Sequence, residues 1–473
     1  MITKTLNLKP KPEGGGKPSL SYKKNDAGAA QAFADRYTDH LRFAPGIGWL
    51  VWNGHRWERD AIGRVVQYGI ELHHTLMAEV SAIRDEAERK ASWTWANGLG
   101  NRSRIDAMTR LAESNPALVV RAAQLDADPF LVGCHNGTID LQSGRFFEGD
   151  KGDLITRSLG TRWEEGATCP KWEKFLADVT MGDAELVAFI QKAMGLTLSG
   201  DVSEATFLFL WGTGANGKSV LSDTLASLMG DYCHRASAEL FDRRHDRNKG
   251  PELAEVHGKR LILASETQEG GRLDERLVKD ITGGEEIRGE AKFMPGFKFR
   301  PVAKVWISGN HRPRITGTDH GIWRRVRLLP FEAKFEGNAD NKSLRKELRE
   351  ELPGIFAWAV EGFRRWKAEG LGLPERVKLA VADYRAAEDD LADFIADRIE
   401  EATDAVTCPK GTVFREYESW TEAEGIRHPM MKKQLSRKLR ERGWKELHGK
   451  FWRGVRIAEE KPEEEERSPS NPF

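Results

Sequence analysis

The alternation of apolar and polar positions changes character several times along the 473-residue chain. Residues 1–28 are rich in Lys, Pro and Gly with little periodicity, which predicts a disordered arm. Residues 49–57 place aromatic-rich runs on either side of Asn53-Gly54, and residues 131–141 repeat the arrangement about Asn136-Gly137. Both read as hairpins, because Asn-Gly accepts the positive φ of a tight turn. A helical stretch is predicted between them over 67–111, and further helices over 172–179 and 184–197. Strand and helix then alternate through residue 335, the α/β signature. Residues 342–400 are helical again, interrupted at 370–374. Helical patterns at 391–401, 410–424 and 430–442 precede two short apolar runs within 444–456, and the remainder is acidic and Pro-containing.

These shifts divide the chain into an arm (1–28), an N-terminal accessory domain (29–165), an α/β domain with a short helical lead-in (166–340), a helical extension (341–388), a small helix-and-hairpin domain (389–457) and a disordered acidic tail (458–473). About 150 residues per domain agrees with roughly three folded parts.

The chemistry is concentrated in the α/β domain. Gly212-Thr213-Gly214-Ala215-Asn216-Gly217-Lys218-Ser219 fits the pattern GxxxxGK(S/T), preceded by the apolar strand 207–211 and followed by a helix. Glycines at these positions let backbone N–H groups cradle phosphates at a helix N-terminus. Lys218 is expected on the β- and γ-phosphates of ATP and the Ser219 hydroxyl on Mg²⁺. The apolar strand 260–265 ends at Glu266, placed to polarise an attacking water. A third apolar strand, 304–309, ends at Asn310, an amide able to hydrogen-bond both phosphate and water. Arg324 and Arg325 lead into a fourth apolar run and suit a residue that neutralises charge on a transferred phosphoryl group, commonly from a neighbouring subunit.

Composition changes this picture little. Lys plus Arg and Asp plus Glu are 73 each, so the net charge is zero and only local patches speak for nucleic acid. No apolar run reaches membrane-spanning length. Cys134, Cys169, Cys233 and Cys408 are scattered without a CxxC pair, so neither a zinc site nor a disulfide framework is expected, as befits a cytoplasmic protein. Asp126-Ala127-Asp128 imitates the acidic pair of a primase, but Pro129 follows at once and no primer synthesis is expected.

In this order, GTGANGKS (212–219), LILASETQEGGRLDERLVKDITGGEEIRGE (261–290), KVWISGNHRPRITGTDHGIWRRVRLLPF (304–331) and GIFAWAVEGFRRWKAEGLGLP (354–374) resemble the superfamily 3 helicases, more closely their poxvirus and phage/plasmid primase-helicase branch. DADPFLVGCHNGTIDLQSG (126–144) is similar to the domain preceding the motor in that branch. The resemblance implies a RecA-like AAA+ P-loop motor. In it Lys218 and Ser219 are Walker A residues, Glu266 the Walker B acid, Asn310 the sensor, and Arg325, then Arg324, the finger. Ser265 stands where many members carry a second acid, leaving Ser219 and Glu266 to hold Mg²⁺. The family also places a DNA-gripping hairpin between Walker B and the sensor strand. Here Gly283-Gly284 would make a turn and Arg288 and Lys292 would meet phosphates. Phe293 would stack on a base or pack in the core.

The 389–457 piece reads as a winged helix. Residues 427–456 hold eleven Lys or Arg and two acids, a local charge near +9. Lys432, Lys433, Arg437, Lys438 and Arg440 suit a recognition helix, and Lys450 and Arg453 a wing, with a protein-binding winged helix as the alternative. The function expected is an ATP-dependent helicase working as a homo-hexameric ring on single-stranded and forked DNA, alongside a separate primase. The alternatives are an origin-binding initiator and a helicase-loading ATPase.

Overall fold

The computed structural model describes residues 17–245, 249–265, 271–290, 296–315, 320–335, 341–387, 390–424 and 429–458. The chain forms two units, residues 1–380 and 381–473.

The first unit opens with structure earlier than the composition predicts. The backbone N–H groups of Ser19 and Leu20 donate to the Glu79 carboxylate at 3.0 and 2.8 Å. Asn25 caps the helix Asp26–Tyr37 by accepting from the Gly28 N–H. That helix buries Ala29, Ala30, Ala32, Phe33 and Ala34, so small side chains give it a close-packed face that a Lys/Pro/Gly count does not reveal. The arm expected through residue 28 therefore ends sooner; residues 1–16, like the tail from 459, lie outside the described residues. The helical stretch expected over 67–111 is three helices, Arg64–Ser81, Glu86–Leu99 and Arg102–Ala112, the second capped by the Asp85 carboxylate. Both Asn-Gly hairpins are present. Leu41–Ala44, Gly48–Trp52 and Trp57–Arg59 form one antiparallel sheet, and Leu131–Cys134, Gly137–Asp140 and Arg145–Phe147 another.

Helices Pro170–Val179 and Ala184–Leu198 lead into a five-stranded sheet. We number its strands β1 (Phe207–Trp211), β2 (Cys233–Ala236), β3 (Leu261–Ser265), β4 (Lys304–Gly309) and β5 (Val326–Pro330). They lie in the order β5-β1-β4-β3-β2, all parallel. The central strands are near-continuous apolar runs, as strands covered on both faces must be. Register pairs Gly309 with Trp211 and Ser308 with Ser265, so the loops leaving β1, β3 and β4 emerge side by side.

The helical extension comprises Leu344–Glu350, Leu352–Glu369 and a helix from Glu375. Helix Leu352–Glu369 crosses Ala184–Leu198 at two glycines. A Cβ on Gly195 would lie 2.1 Å from the Phe363 nitrogen, and one on Gly362 2.1 Å from the Gln191 carbonyl oxygen.

The accessory domain is joined to the sheet through Arg260, just before β3. Its side chain is buried (3% exposed). It donates to the carbonyls of Leu198, Leu131 and Asp128 at 2.7, 2.8 and 3.2 Å, and its guanidinium lies 4.7 Å from the Tyr232 ring centroid. Arg157 donates back to the carbonyls of His257 and Gly258 at 2.8 and 2.9 Å. The Asp126 carboxylate accepts from the Thr156 N–H at 2.7 Å and from its hydroxyl, and Asp128 accepts from the Phe130 N–H at 2.8 Å. Both carboxylates of the DxD sequence are thus employed in local structure.

The second unit contains helices Asp390–Arg398, Lys410–Ala423 and Lys432–Glu441. Its antiparallel sheet runs in the order Thr407–Pro409, Phe451–Arg453, Glu446–Leu447, and Ile399–Glu401 pairs with Val455–Ile457. Phe394, Tyr417, Trp420, Leu435, Leu439 and Trp452 form its core. Leu435 and Leu439 point inward one turn apart, which leaves Lys432, Lys433, Arg437 and Arg440 exposed. Lys450 and Arg453 are exposed beside the second hairpin, while Lys438 is half-buried. Among the described residues, no helix is long and apolar enough to cross a membrane.

Candidate functional site

The loop 212–217 is built by glycines at positions where no other residue fits. Gly214 and Gly217 have φ of 110° and 86°. A Cβ on Gly212 would lie 2.3 Å from the Phe331 carbonyl oxygen, and one on Gly217 2.6 Å from Val179. Lys218 opens the helix Lys218–Met229 and is buried. Its ammonium donates to the Gly212 carbonyl at 2.7 Å, to Asn216 Oδ1 at 3.0 Å and to Asn310 Oδ1 at 3.1 Å. Burial holds its pKa below the ordinary lysine value. Asn216, also buried, donates through Nδ2 to the Phe331 carbonyl at 3.0 Å. Residues 94 positions or more apart in sequence therefore meet at one ammonium because β1 and β4 are neighbours in the sheet.

A cleft of about 740 Å³ opens over this loop. Its floor is 214–219 with Ser265, Ser308 and Asn310. Thr213 and Ser219 are exposed at the loop. Glu266 lies outside the described residues, as do Lys292 and Phe293. The cleft walls were not foreseen from sequence. Lys171, Lys174, Phe175 and Asp178 come from the lead-in helix, and Leu344, Arg345 and Glu347 from the extension. The walls are tied together: Lys171 Nζ lies 2.9 Å from the Glu347 carboxylate, and Glu351 accepts from the N–H groups of Lys171 and Trp172 at 3.1 and 3.0 Å. Hydrogen bonds from Ser343 and Lys171 hold the Glu347 carboxyl down at about 2. Isolated Lys, Asp and Glu on amphipathic helices carry no local signal of this, since it arises only when two distant helices face each other. Among the described residues, no cluster of three or more His, Cys, Asp or Glu is arranged to hold a metal.

The paired arginines sit at the other end of the sheet. The Phe207 N–H donates to the Arg325 carbonyl at 2.9 Å, at the start of β1. The Arg325 side chain is half-buried and donates to the Ala205 carbonyl at 3.0 Å. Burial, then the charge of Arg324, lowers its pKa. Arg324 is exposed. The Arg325 guanidinium thus donates within its own chain, whereas Arg324 is exposed.

The expected hairpin is present as Ile287–Gly289 paired antiparallel with Phe297–Phe299. Residues 291–295 between these strands lie outside the described residues, and Gly283-Gly284 make a turn that ends the helix Glu275–Thr282. Arg288 is exposed on the stem, 3.1 Å from the Glu290 carboxylate. Phe297 and Phe299 pack edge-on against His257.

The chain matches two family models, "D5 N terminal like" over residues 30–181 and "Family of unknown function (DUF5906)" over 210–325. A protein of Acanthamoeba polyphaga mimivirus, named a putative helicase, is 29% identical over 296 residues, covering 58% of this chain and 31% of that protein. An African swine fever virus protein named a putative primase is 23% identical over 310 residues, covering 60% and 32%. The uncoating factor of vaccinia virus is 24% identical over 237 residues, covering 46% and 30%. The chain thus spans about a third of the length of the curated relatives it matches. The A form apo structure of the NrS-1 C terminal region shares the fold at 12% identity with a TM-score of 0.50, over 88% of this chain and 96% of that one. These matches support assignment of the chain to the poxvirus and phage/plasmid primase-helicase family.

Proposed function

We propose that the chain is an ATP-driven motor of the superfamily 3 type, acting on single-stranded and forked DNA during replication of a virus, phage or plasmid. The observation that carries this reading is the convergence on Lys218 of a glycine-built loop and Asn310, at the edge where β1, β3 and β4 end. The strand order, with the loop-bearing strand between β4 and β5, fits an AAA+ motor.

In this reading the N–H groups of 212–218 and the Lys218 ammonium receive the phosphates of ATP at a helix N-terminus. Glu266 takes the proton of the attacking water, and Asn310 orients that water against the γ-phosphate. Mg²⁺ neutralises phosphate charge when bound, and Ser219, exposed in the first helical turn, would hold it together with Glu266. Arg324 serves the cleft of a neighbouring copy. It lies across the length of β1 from its own loop, about 16 Å, too far for an arginine side chain. That arrangement calls for head-to-tail contacts that close into a ring, a homo-hexamer in our reading. The second unit, with three helices and a basic hairpin sheet, acts as a winged helix on duplex DNA, and the 287–299 hairpin grips the translocating strand.

Displacement of a labelled strand from a fork by wild-type protein with ATP, and none by Lys218→Ala, tests the reading. ATP hydrolysis without displacement on any fork would assign a loading or initiator ATPase instead.

A further inference from the structure

The described lining of the nucleotide cleft includes four cations, Lys171, Lys174, Lys218 and Arg345, and two acids, Asp178 and Glu347. Two of the cations are matched by those acids. Lys171 lies 2.9 Å from Glu347, and Lys174 lies 2.7 Å from Asp178. Lys218 and Arg345 are left as the surplus positive charge of this lining.

Arg345 is exposed on the helix Leu344–Glu350, which the fully buried Leu348 anchors. That helix packs against Lys218–Met229. The Arg345 Nε lies 3.3 Å from Oδ2 of Asp223. Asp223 accepts a hydrogen bond from Arg235 Nη2 at 2.8 Å on its other oxygen. One carboxylate thus serves two guanidiniums, and 56% of the Arg345 side chain stays open to solvent. Ion pairs exposed to this degree are weak. Asp223 follows Ser219 by one turn, about 6 Å of helix axis, and residues so spaced share a face. The Arg345 guanidinium is therefore parked one helical turn from the hydroxyl at the phosphate loop.

We propose that Arg345 is a second phosphate-binding cation of this cleft, supplied by the same copy that supplies Lys218, and that it leaves Asp223 for the triphosphate when nucleotide enters. The proposal rests on the ATP reading of the cleft. A triphosphate brings more negative charge than Lys218 alone neutralises. A planar guanidinium captures two phosphate oxygens at once, and charge-assisted bonds of that kind are the strong ones. Asp223, shared with Arg235, is the weaker claimant and acts as a competitor of the nucleotide.

The test is calorimetric binding of a non-hydrolysable ATP analogue and of inorganic tripolyphosphate to the full chain. Arg345→Ala should weaken both about tenfold. Arg345→Lys, which keeps the charge and loses the fork, should weaken both about threefold. Asp223→Asn removes the competing carboxylate and should tighten both about threefold. A purely structural ion pair does not give effects of opposite sign at its two partners. Unchanged affinity in Arg345→Ala overturns the proposal, and so do losses in both Arg345→Ala and Asp223→Asn. A loss for the analogue with none for tripolyphosphate assigns Arg345 to the base or sugar and overturns it too. Lys218→Ala is the control for the cleft itself: wild-type affinity in that variant sinks the ATP reading, whereas its loss beside a normal Arg345→Ala removes Arg345 alone.

Discussion

The ammonium of Lys218 lies 3.1 Å from Oδ1 of Asn310, a residue 92 positions later at the end of the neighbouring parallel strand. In the proposed reading, the same oxygen becomes available to water once phosphates engage the ammonium. Lys218→Ala should abolish ATP hydrolysis. Asn310→Ala should leave nucleotide affinity within a few-fold and lower turnover by about 100-fold, the cost of losing one oriented hydrogen-bonding group in the transition state. Calorimetric nucleotide binding beside steady-state hydrolysis separates the two; equal losses in both would remove Asn310 from the chemistry.

Asn216 joins the Lys218 ammonium to the end of β5 through the Phe331 carbonyl. Asn216→Ala leaves that carbonyl unpaired and should cost about 1–3 kcal/mol of stability, with a raised KM. Asn216→Asp adds a carboxylate that pairs with Lys218 and competes with phosphate, so its KM should rise further. Thermal melts and KM for both variants check the order.

Arg324→Ala should fold and bind nucleotide normally but hydrolyse about 10³-fold more slowly. Mixing it with Lys218→Ala should restore part of the activity, because each copy supplies what its neighbour lacks. Arg325→Ala should instead lower the melting temperature, since the Ala205 carbonyl loses its donor. If mixing rescues Arg325→Ala and not Arg324→Ala, the assignment goes back to Arg325.

In the second unit, replacing Lys432, Lys433 and Arg437 together by Ala should weaken duplex binding. Each lost phosphate contact should also reduce the salt slope by about 0.9. Identical slopes before and after would make this exposed face a protein-contact surface.

Gly195→Ala places a methyl against backbone that cannot retreat and should destabilise the helix crossing by about 1–3 kcal/mol. A chemical melt of the full chain measures it.

Much of this site was legible in the sequence because its parts are local. GTGANGKS specifies its own loop, and the apolar runs of β3 and β4 end at polar residues that the parallel register carries to the edge where β1 opens into that loop. The two Asn-Gly hairpins were legible for the same reason. What escaped was the product of tertiary contact. Lys171 and Glu347 become cleft walls only when two helices 176 residues apart face each other. The contact of Arg325 with the Ala205 carbonyl, in the loop before β1, has no local signal either. Gly283-Gly284 make the expected turn, and it closes the helix Glu275–Thr282 ahead of the hairpin strand Ile287–Gly289.

The family boundaries fall at residues 181 and 210, but the physical seam lies elsewhere. Arg260 belongs to the α/β domain by sequence, yet two of its three carbonyl partners, Asp128 and Leu131, belong to the domain upstream. An α/β domain trimmed of residues 17–165 would strip the Arg260 guanidinium of two of its three carbonyl acceptors and open it to water. What is inherited as two modules is therefore folded as one. The upstream domain completes the interior of the sheet and is not cargo upon it. Any displacement of β3 would move Arg260, and with it the segment 128–131 that it holds.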